Sequence, residues 1–294
     1  MLPNFLILGT AKAGTTALHQ YLNQHPDVAM SRQKEPHYLA FGGRPPEFKG
    51  PGDERFNERT VSSRAAYEAQ FVEAPVRGDA SPWYLYHPDT PGRIGSLVPN
   101  AKMLIVLRDP IDRAYSSYLH TVRDRRESCT FEEALASERQ RIDQGWEYIW
   151  HLTAVGRYSE QVRRFLSAFP HQVRIDLYED FQKDEAGYLR SLFEFLGVNP
   201  DVRIDTSVRP NATGVPLEGT AGNLVFGRSW LREALKRVTP KPVRHRVGPQ
   251  VRQRLMTRPE VSTATRSRLI ELFRPDIERL QEQIGRDLTA WLTP

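Results

Sequence analysis

Residues 4–16, Asn-Phe-Leu-Ile-Leu-Gly-Thr-Ala-Lys-Ala-Gly-Thr-Thr, restrict the fold more than any other stretch of this 294-residue chain. Phe5 to Leu8 is a continuous apolar run of the kind that makes a strand buried on both faces. Gly9 and Gly14 bracket a loop, and the residues after it put Leu18, Tyr21 and Leu22 on one face of a helix. Strand, glycine loop and helix N-terminus in succession form an anion cradle, because unpaired backbone N–H groups and the positive end of the helix dipole converge on one point. The spacing Gly9-x4-Gly14 is that of a Walker A loop, but Thr15 stands where such a loop needs lysine. The lysine lies inside the loop, at Lys12, and Thr15 and Thr16 supply hydroxyls at the helix start.

The remaining chain alternates strands with helices. Met103 to Leu107 reads as a second buried strand and Val173 to Tyr178 as a third. Asp109, Pro110 and Asp112 sit as N-cap, first helical residue and first-turn acid of a helix reaching about Arg125, so Asp109 reads as a cap rather than a catalyst. Further helices are expected over Ala65–Phe71, Phe131–Ile142, Tyr158–Phe169 and Glu185–Leu196, the last ended by Gly197. The apolar spacing of Leu269, Phe273, Ile277, Leu280 and Ile284 marks a final helix that Pro275 should break or kink. Gly78 to Tyr84 reads as a turn holding polar groups beside aromatics. This pattern predicts an α/β fold of three layers, a mostly parallel sheet flanked by helices.

The second strand ends in Arg108, where a P-loop nucleotidase would place a carboxylate. Arginine suits a phosphate dianion, with paired N–H donors and a permanent charge. Ser116 lies two turns along the following helix; it is either a packing serine or a hydroxyl aimed at the same phosphate. The chain carries net charge +5 and a pI near 9.3, which favours anionic partners. That charge is concentrated: between residues 228 and 258 ten Lys/Arg face one acid, Glu233. The single Cys129 excludes an intrachain disulfide framework and a multi-cysteine metal site.

Lys-x-Gly-Thr-Thr after a first strand, joined to Arg108 and Ser116 at their spacing, resembles the 5′- and 3′-phosphate segments of sulfotransferases that use 3′-phosphoadenosine 5′-phosphosulfate (PAPS). Tyr178-Glu179-Asp180-Phe181 and the helix ending Phe195-Leu196-Gly197-Val198 are similar to the strand and helix beyond the nucleotide site in that family. Arg209 to Gly214 resembles its late loop that closes on the nucleotide. Lys34-Glu35-Pro36-His37-Tyr38 is similar to the Lys-Glu-Pro-His-Phe run of heparan-type members, where the glutamate is taken as the base. The likeness spans about residues 4–215 and returns at Leu280 to Trp291.

The resemblance implies a P-loop-like sulfotransferase fold over residues 1–294, with a basic helical or loop insertion at about 221–262. It implies PAPS as donor, 3′,5′-adenosine bisphosphate as product, no metal, and an acceptor bearing a hydroxyl or amine on a carbohydrate or other small molecule. Lys12 and Glu35 would be catalytic; Lys12, Ala13, Gly14, Thr15, Thr16, Arg108, Ser116, Tyr178 and Arg209 would hold the nucleotide. Lys34, His37, Asp79, Ser81 and Trp83 would meet the acceptor, with His37 the second candidate base. The family often has lysine where Asp79 stands, which weighs against a polyanionic sugar.

Other chemistries find fewer residues. No His-x-x-x-His or Cys/His cluster offers metal ligands, and Gly-x-Ser-x-Gly is absent. Nucleic-acid binding is not expected, since segment 228–258 lacks interleaved aromatics apart from Trp230. No signal peptide or membrane span is visible, so a cytoplasmic protein is expected, although a catalytic domain cut from a longer anchored chain stays open. Two rival readings remain: a degenerate P-loop kinase or NTPase, and a non-catalytic polyanion binder acting through 228–258. That segment could equally shape the acceptor site or a homo-oligomer contact.

Overall fold

Two apolar strands set the architecture. The strands in chain order are β1 (Phe5–Gly9), β2 (Val28–Met30), β3 (Val76–Ala80), β4 (Lys102–Leu107) and β5 (Val173–Leu177). They hydrogen-bond in the order β2-β3-β1-β4-β5, and every pairing is parallel. Phe5 to Leu8 and Met103 to Leu107 are wholly buried, as strands covered on both faces must be. The computed structural model describes residues 1–207 and 260–294, plus the backbone of a short antiparallel pair, Val215–Pro216 with Met256–Thr257. Arg209 and most of the basic segment 221–262 lie outside the described residues.

The helices are α1 (Thr15–Leu22), α2 (Tyr38–Phe41), α3 (Glu54–Arg59), α4 (Arg64–Glu68), α5 (Thr90–Leu97), α6 (Pro110–Arg123), α7 (Phe131–Ala136), α8 (Glu138–Asp143), α9 (Tyr158–Ala168), α10 (Tyr178–Lys183) and α11 (Glu185–Leu196). A long C-terminal helix comes last, Thr263–Ile284. Because side chains alternate along a strand, Phe5, Ile7, Leu104 and Val106 face α1 and α11 through Leu18, Leu22, Leu192 and Phe193. Leu6, Leu8, Met103 and Ile105 face the opposite layer, built by Ile94 of α5, Ala114 of α6, Phe165 of α9 and Phe273 of the C-terminal helix. The chain thus leaves β1 toward one face and β4 toward the other. The crevice between their carboxyl ends is where α/β sheets bind ligands.

The expected three-layer parallel architecture is the one found, with four local differences. Val76–Ala80 is a strand, so the expected turn over Gly78 to Tyr84 begins only at Ser81. It is short and carries Arg, Gly and Asp, and what makes it a strand is pairing to β1 and β2 on either side. The helix expected over Phe131–Ile142 is two helices meeting at Ser137, whose Oγ donates to the Glu133 carbonyl at 2.8 Å. That break turns Glu138 inward, where its carboxylate accepts the Thr153 and Ala154 amides at 2.8 and 2.9 Å. The strand expected to run to Tyr178 ends at Leu177, and Tyr178 opens α10 with Glu179 and Asp180 in the first turn, where acids favour a helix.

The last difference is the C-terminal helix, which runs through Pro275 without interruption. Phe273, Ile277 and Leu280 are held in the core on both sides of it, and Asp276 accepts the Ser159 amide at 3.2 Å. Among the described residues no helix is long and apolar enough to cross a membrane. Pro275 is exposed and lacks the N–H that would bond the preceding turn. Pro275→Ala should therefore stabilise the protein by about 1–3 kcal/mol in chemical denaturation; a loss of stability would show that the ring itself is needed.

Candidate functional site

The loop after β1 is bound to β4 before it reaches α1. Thr10 donates its amide to the Val106 carbonyl at 2.7 Å, and Ala13 donates to the Thr10 carbonyl at 3.2 Å. Lys12 and Gly14 both take left-handed backbone, φ 73° and 82°. Glycine is required at the second position, since a Cβ on Gly14 would lie 2.9 Å from the Tyr178 ring. Gly14 also caps α1 without a side chain, and the Gly14 carbonyl takes the Leu18 amide. The amides of Thr15, Thr16 and Ala17 therefore have no partner within the helix and face the cavity in front of it.

That cavity encloses about 500 Å³. At its inner end Arg108 closes β4, almost fully buried. Its Nη1 donates to the Lys12 carbonyl at 2.9 Å, and its guanidinium lies 4.9 Å over the Tyr178 ring. Its Nε is buried without a hydrogen-bond partner. Lys12 turns its amine to His120 Nδ1 at 3.2 Å, and Arg123 Nη2 reaches the same nitrogen at 2.8 Å. With two cationic donors on it, Nδ1 must accept, so the proton sits on Nε2, 3.4 Å from Asp124 Oδ2. Burial and the Lys12 and Arg123 charges push the His120 pKa far down, which keeps the ring neutral. Burial, with Arg123 and Arg108 nearby, lowers the Lys12 amine from 10.5 to about 7. The group that would bring Lys12 back to full charge is an anion in the cavity.

The loop Lys34-Glu35-Pro36-His37 also lines the cavity. Glu35 and His37 both have positive φ, 64° and 57°, a strain that has to be held by its surroundings. Lys34 contacts one Glu35 oxygen, and His37 Nε2 is 3.7 Å from the other. Burial first, and then Lys12 and Arg59, lower the Lys34 amine to about 7. Burial likewise lowers His37 to about 3, leaving it a neutral and weak base. Trp83, Phe56, Arg55, Arg59 and Arg126 belong to the same lining.

The structure gathers Lys12, Gly14, Thr15, Thr16, Lys34, Glu35, His37, Trp83, Arg108 and Tyr178 around the one cavity. Four candidates stand outside its lining. Ala13 is wholly buried beneath the loop, and Ser116 is wholly buried in α6. Asp79 and Ser81, expected to meet an acceptor, lie behind the wall instead. Asp79 accepts the Tyr67 and Tyr84 hydroxyls at 2.8 and 2.7 Å and the Ser81 hydroxyl at 2.7 Å. Ser81 in turn accepts the His37 amide at 3.1 Å, so this pair holds the strained loop rather than a ligand. Sequence reasoning missed His120, Asp124, Arg126 and Glu147, all in the lining. The first was within reach, because His120 lies one turn beyond Ser116 on the same helix. Arg126 pairs with Glu147 directly, at 3.2 Å, and with buried Asp53, a cluster that no spacing reveals.

A model described as the sulfotransferase family matches residues 3–201. Human heparan sulfate glucosamine 3-O-sulfotransferase 3B1 is 25% identical over 289 residues, 97% of this chain and 64% of that protein. The human bifunctional heparan sulfate N-deacetylase/N-sulfotransferase 2 is 26% identical over 303 residues, 99% of this chain and 31% of that one. The chain thus spans less than two thirds of the length of these curated relatives. The crystal structure of a sulfotransferase from Alicyclobacillus acidocaldarius superposes with a TM-score of 0.80 at 36% identity, covering 100% of both chains.

Lys12 carries a stability cost with a definite sign. Below about pH 7 it is charged in both folded and unfolded chains, and the folded state bears the full penalty of burying it. From about 7 to 10.5 the unfolded chain binds the extra proton, so that penalty fades as pH rises. Lys12→Met should therefore stabilise the ligand-free protein most near neutral pH and below, with the gain shrinking toward pH 10.5, in urea denaturation at several pH values. A gain independent of pH would place the Lys12 charge in solvent.

Proposed function

The chain belongs to the sulfotransferase family, and from that premise we propose that it moves a sulfuryl group from PAPS to a hydroxyl or amine of a carbohydrate or other small acceptor. Residues 1–294 then form one sulfotransferase domain, a reading supported by the full-length superposition on the Alicyclobacillus enzyme. The observation that carries the proposal is that the anion cradle and Glu35 line one and the same cavity.

The residues present fit the donor. The open amides of α1 and the Thr15 and Thr16 hydroxyls suit a 5′-phosphate at a helix N-terminus. Arg108, with a buried N–H still lacking a partner, suits a 3′-phosphate, and the Tyr178 face beside it suits adenine. When bound, PAPS supplies an activated sulfuryl group on a phosphate leaving group.

The chain's own part is placement and charge. Lys12 brings a cation to the point where anionic charge collects, with His120 fixing the direction of its amine. Arg108 tethers the Lys12 carbonyl, so the amine and the guanidinium keep one spacing. A Glu35 carboxylate oxygen takes the acceptor proton. His37 is the weaker base, because burial holds its pKa near 3. Trp83 and Phe56 supply flat apolar surface against which a sugar ring packs, and Arg55 and Arg59, one turn apart on α3, flank the mouth.

Radiolabelled PAPS supplied with a panel of oligosaccharide and small hydroxylated acceptors should give labelled product with the wild-type protein. Glu35→Gln should lower kcat by about 10²–10⁴-fold with the KM for PAPS nearly unchanged. Wild-type kcat in that variant would remove Glu35 as the base.

A further inference from the structure

The carboxylate of Asp79, wholly buried near the end of β3, is held by hydroxyls. Ser81 Oγ donates to one of its oxygens at 2.7 Å. The Tyr84 and Tyr67 hydroxyls donate to the other at 2.7 and 2.8 Å. Burial pushes the carboxyl pKa up, and these three donors work against that. A carboxylate offers acceptors only, so each hydroxyl commits its proton to Asp79 and keeps its lone pairs for other donors.

Two of the three hydroxyls use those lone pairs on backbone amides at the start of α2. Ser81 Oγ accepts the His37 amide at 3.1 Å, and the Tyr84 hydroxyl accepts the Leu39 amide at 3.3 Å. Tyr67 differs: it meets this segment with its ring, which stacks on Tyr38 at 4.5 Å between centroids. The first amides of a helix have no partner inside it, and α2, only four residues long, does not hold itself in place. Only Pro36 separates this clamp from Glu35. The proline ring fixes its own φ, and its carbonyl takes the Val61 amide at 2.9 Å. Glu35 and His37 both sit at positive φ, and their side chains meet, His37 Nε2 lying 3.7 Å from Glu35 Oε2. A shift of the His37 backbone is therefore passed to the Glu35 carboxylate.

We propose that Asp79 is a positioning residue for Glu35: through the Ser81 and Tyr84 hydroxyls it fixes the backbone from which Glu35 reaches the cavity. The proposal rests on the reading of Glu35 as the base. Asp79→Asn would bring an NH2 group against hydroxyl protons aimed at the same place, and so loosen the clamp with almost no change of shape.

Two measurements test it. Hydrogen–deuterium exchange of the peptide carrying residues 35–41, read by mass spectrometry, needs no acceptor. Ser81→Ala and Tyr84→Phe should speed its exchange by about tenfold. Tyr67→Phe, which loses a bond to Asp79 but releases no amide, should speed it by less than about twofold. The second measurement is transfer from radiolabelled PAPS to the acceptor that wild-type protein labels best in the oligosaccharide and small-molecule panel. Ser81→Ala, Tyr84→Phe and Asp79→Asn should each lower kcat by about tenfold with the KM for PAPS nearly unchanged. In a Glu35→Gln background, adding Tyr84→Phe should cost less than about twofold more, because its effect passes through a carboxylate already lost. If Asp79→Asn does not fold, Tyr84→Phe set against Tyr67→Phe carries the test. Unchanged exchange, faster exchange with wild-type kcat, equal effects of the two tyrosine variants, or an undiminished loss in the Glu35→Gln background would each overturn this proposal alone. Wild-type kcat in Glu35→Gln by itself, or no transfer by wild-type protein, would overturn the underlying reading of Glu35 and the proposal with it.

Discussion

The hydrogen bond from the Arg108 guanidinium to the Lys12 carbonyl joins the carboxyl ends of the two central strands on which the cavity is built. It spans the crevice between β1 and β4, where the chain departs toward opposite faces. Because Lys12 is held in left-handed backbone, its carbonyl turns to Arg108 while its amine turns to His120. Burial, with the Arg123 and Arg108 charges close by, takes away part of the Lys12 charge. A cluster of this kind weakens the empty protein and is relieved by an anion. On the proposed reading, stability is given up where binding gains from it.

The cavity wall around Glu35 and His37 is stiffened by buried acids rather than by apolar packing alone. Asp79 gathers three hydroxyls, one of them from Ser81, and through Ser81 it supports the strained Glu35–His37 loop. Asp53, wholly buried, accepts the Gly50 and Glu147 amides, both at 2.7 Å, and the Trp150 indole N–H at 3.1 Å, and it contacts Arg126. Burial raises the neighbouring Glu147 to about 7. Each such group is costly if a partner is lost, so the wall is held in one arrangement. Loops carry the candidate base, and these networks give them the precision of regular elements.

The parts legible in the sequence were those fixed by local rules. The apolar runs of β1 and β4, the Gly14 loop, and the cap formed by Asp109 ahead of Pro110 each express a preference of neighbouring residues. β3 was missed because Val76-Arg77-Gly78-Asp79-Ala80 has little strand preference of its own and is made a strand by its neighbours. Of the break or kink expected at Pro275, the break does not occur, because core contacts on either side outweigh one absent hydrogen bond. Asp79 and Ser81 looked like ligand groups, since polar residues beside Trp83 read alike whether they face a cavity or a buried tyrosine pair. The bonds from the His37 and Leu39 amides to Ser81 and Tyr84 join residues far apart in the chain, and only the fold brings them together.

On the proposed reading the cradle is built for a 3′-phosphorylated nucleotide and not for a nucleoside triphosphate with its metal. The most direct measurement is calorimetric titration of the wild-type protein with 3′,5′-adenosine bisphosphate, set beside ATP with Mg²⁺. Saturable binding of the bisphosphate, clearly tighter than that of ATP with Mg²⁺ and lost in Arg108→Ala, is the result expected. Tighter binding of ATP with Mg²⁺ would contradict the account and make the Lys12 loop a variant nucleotidase cradle.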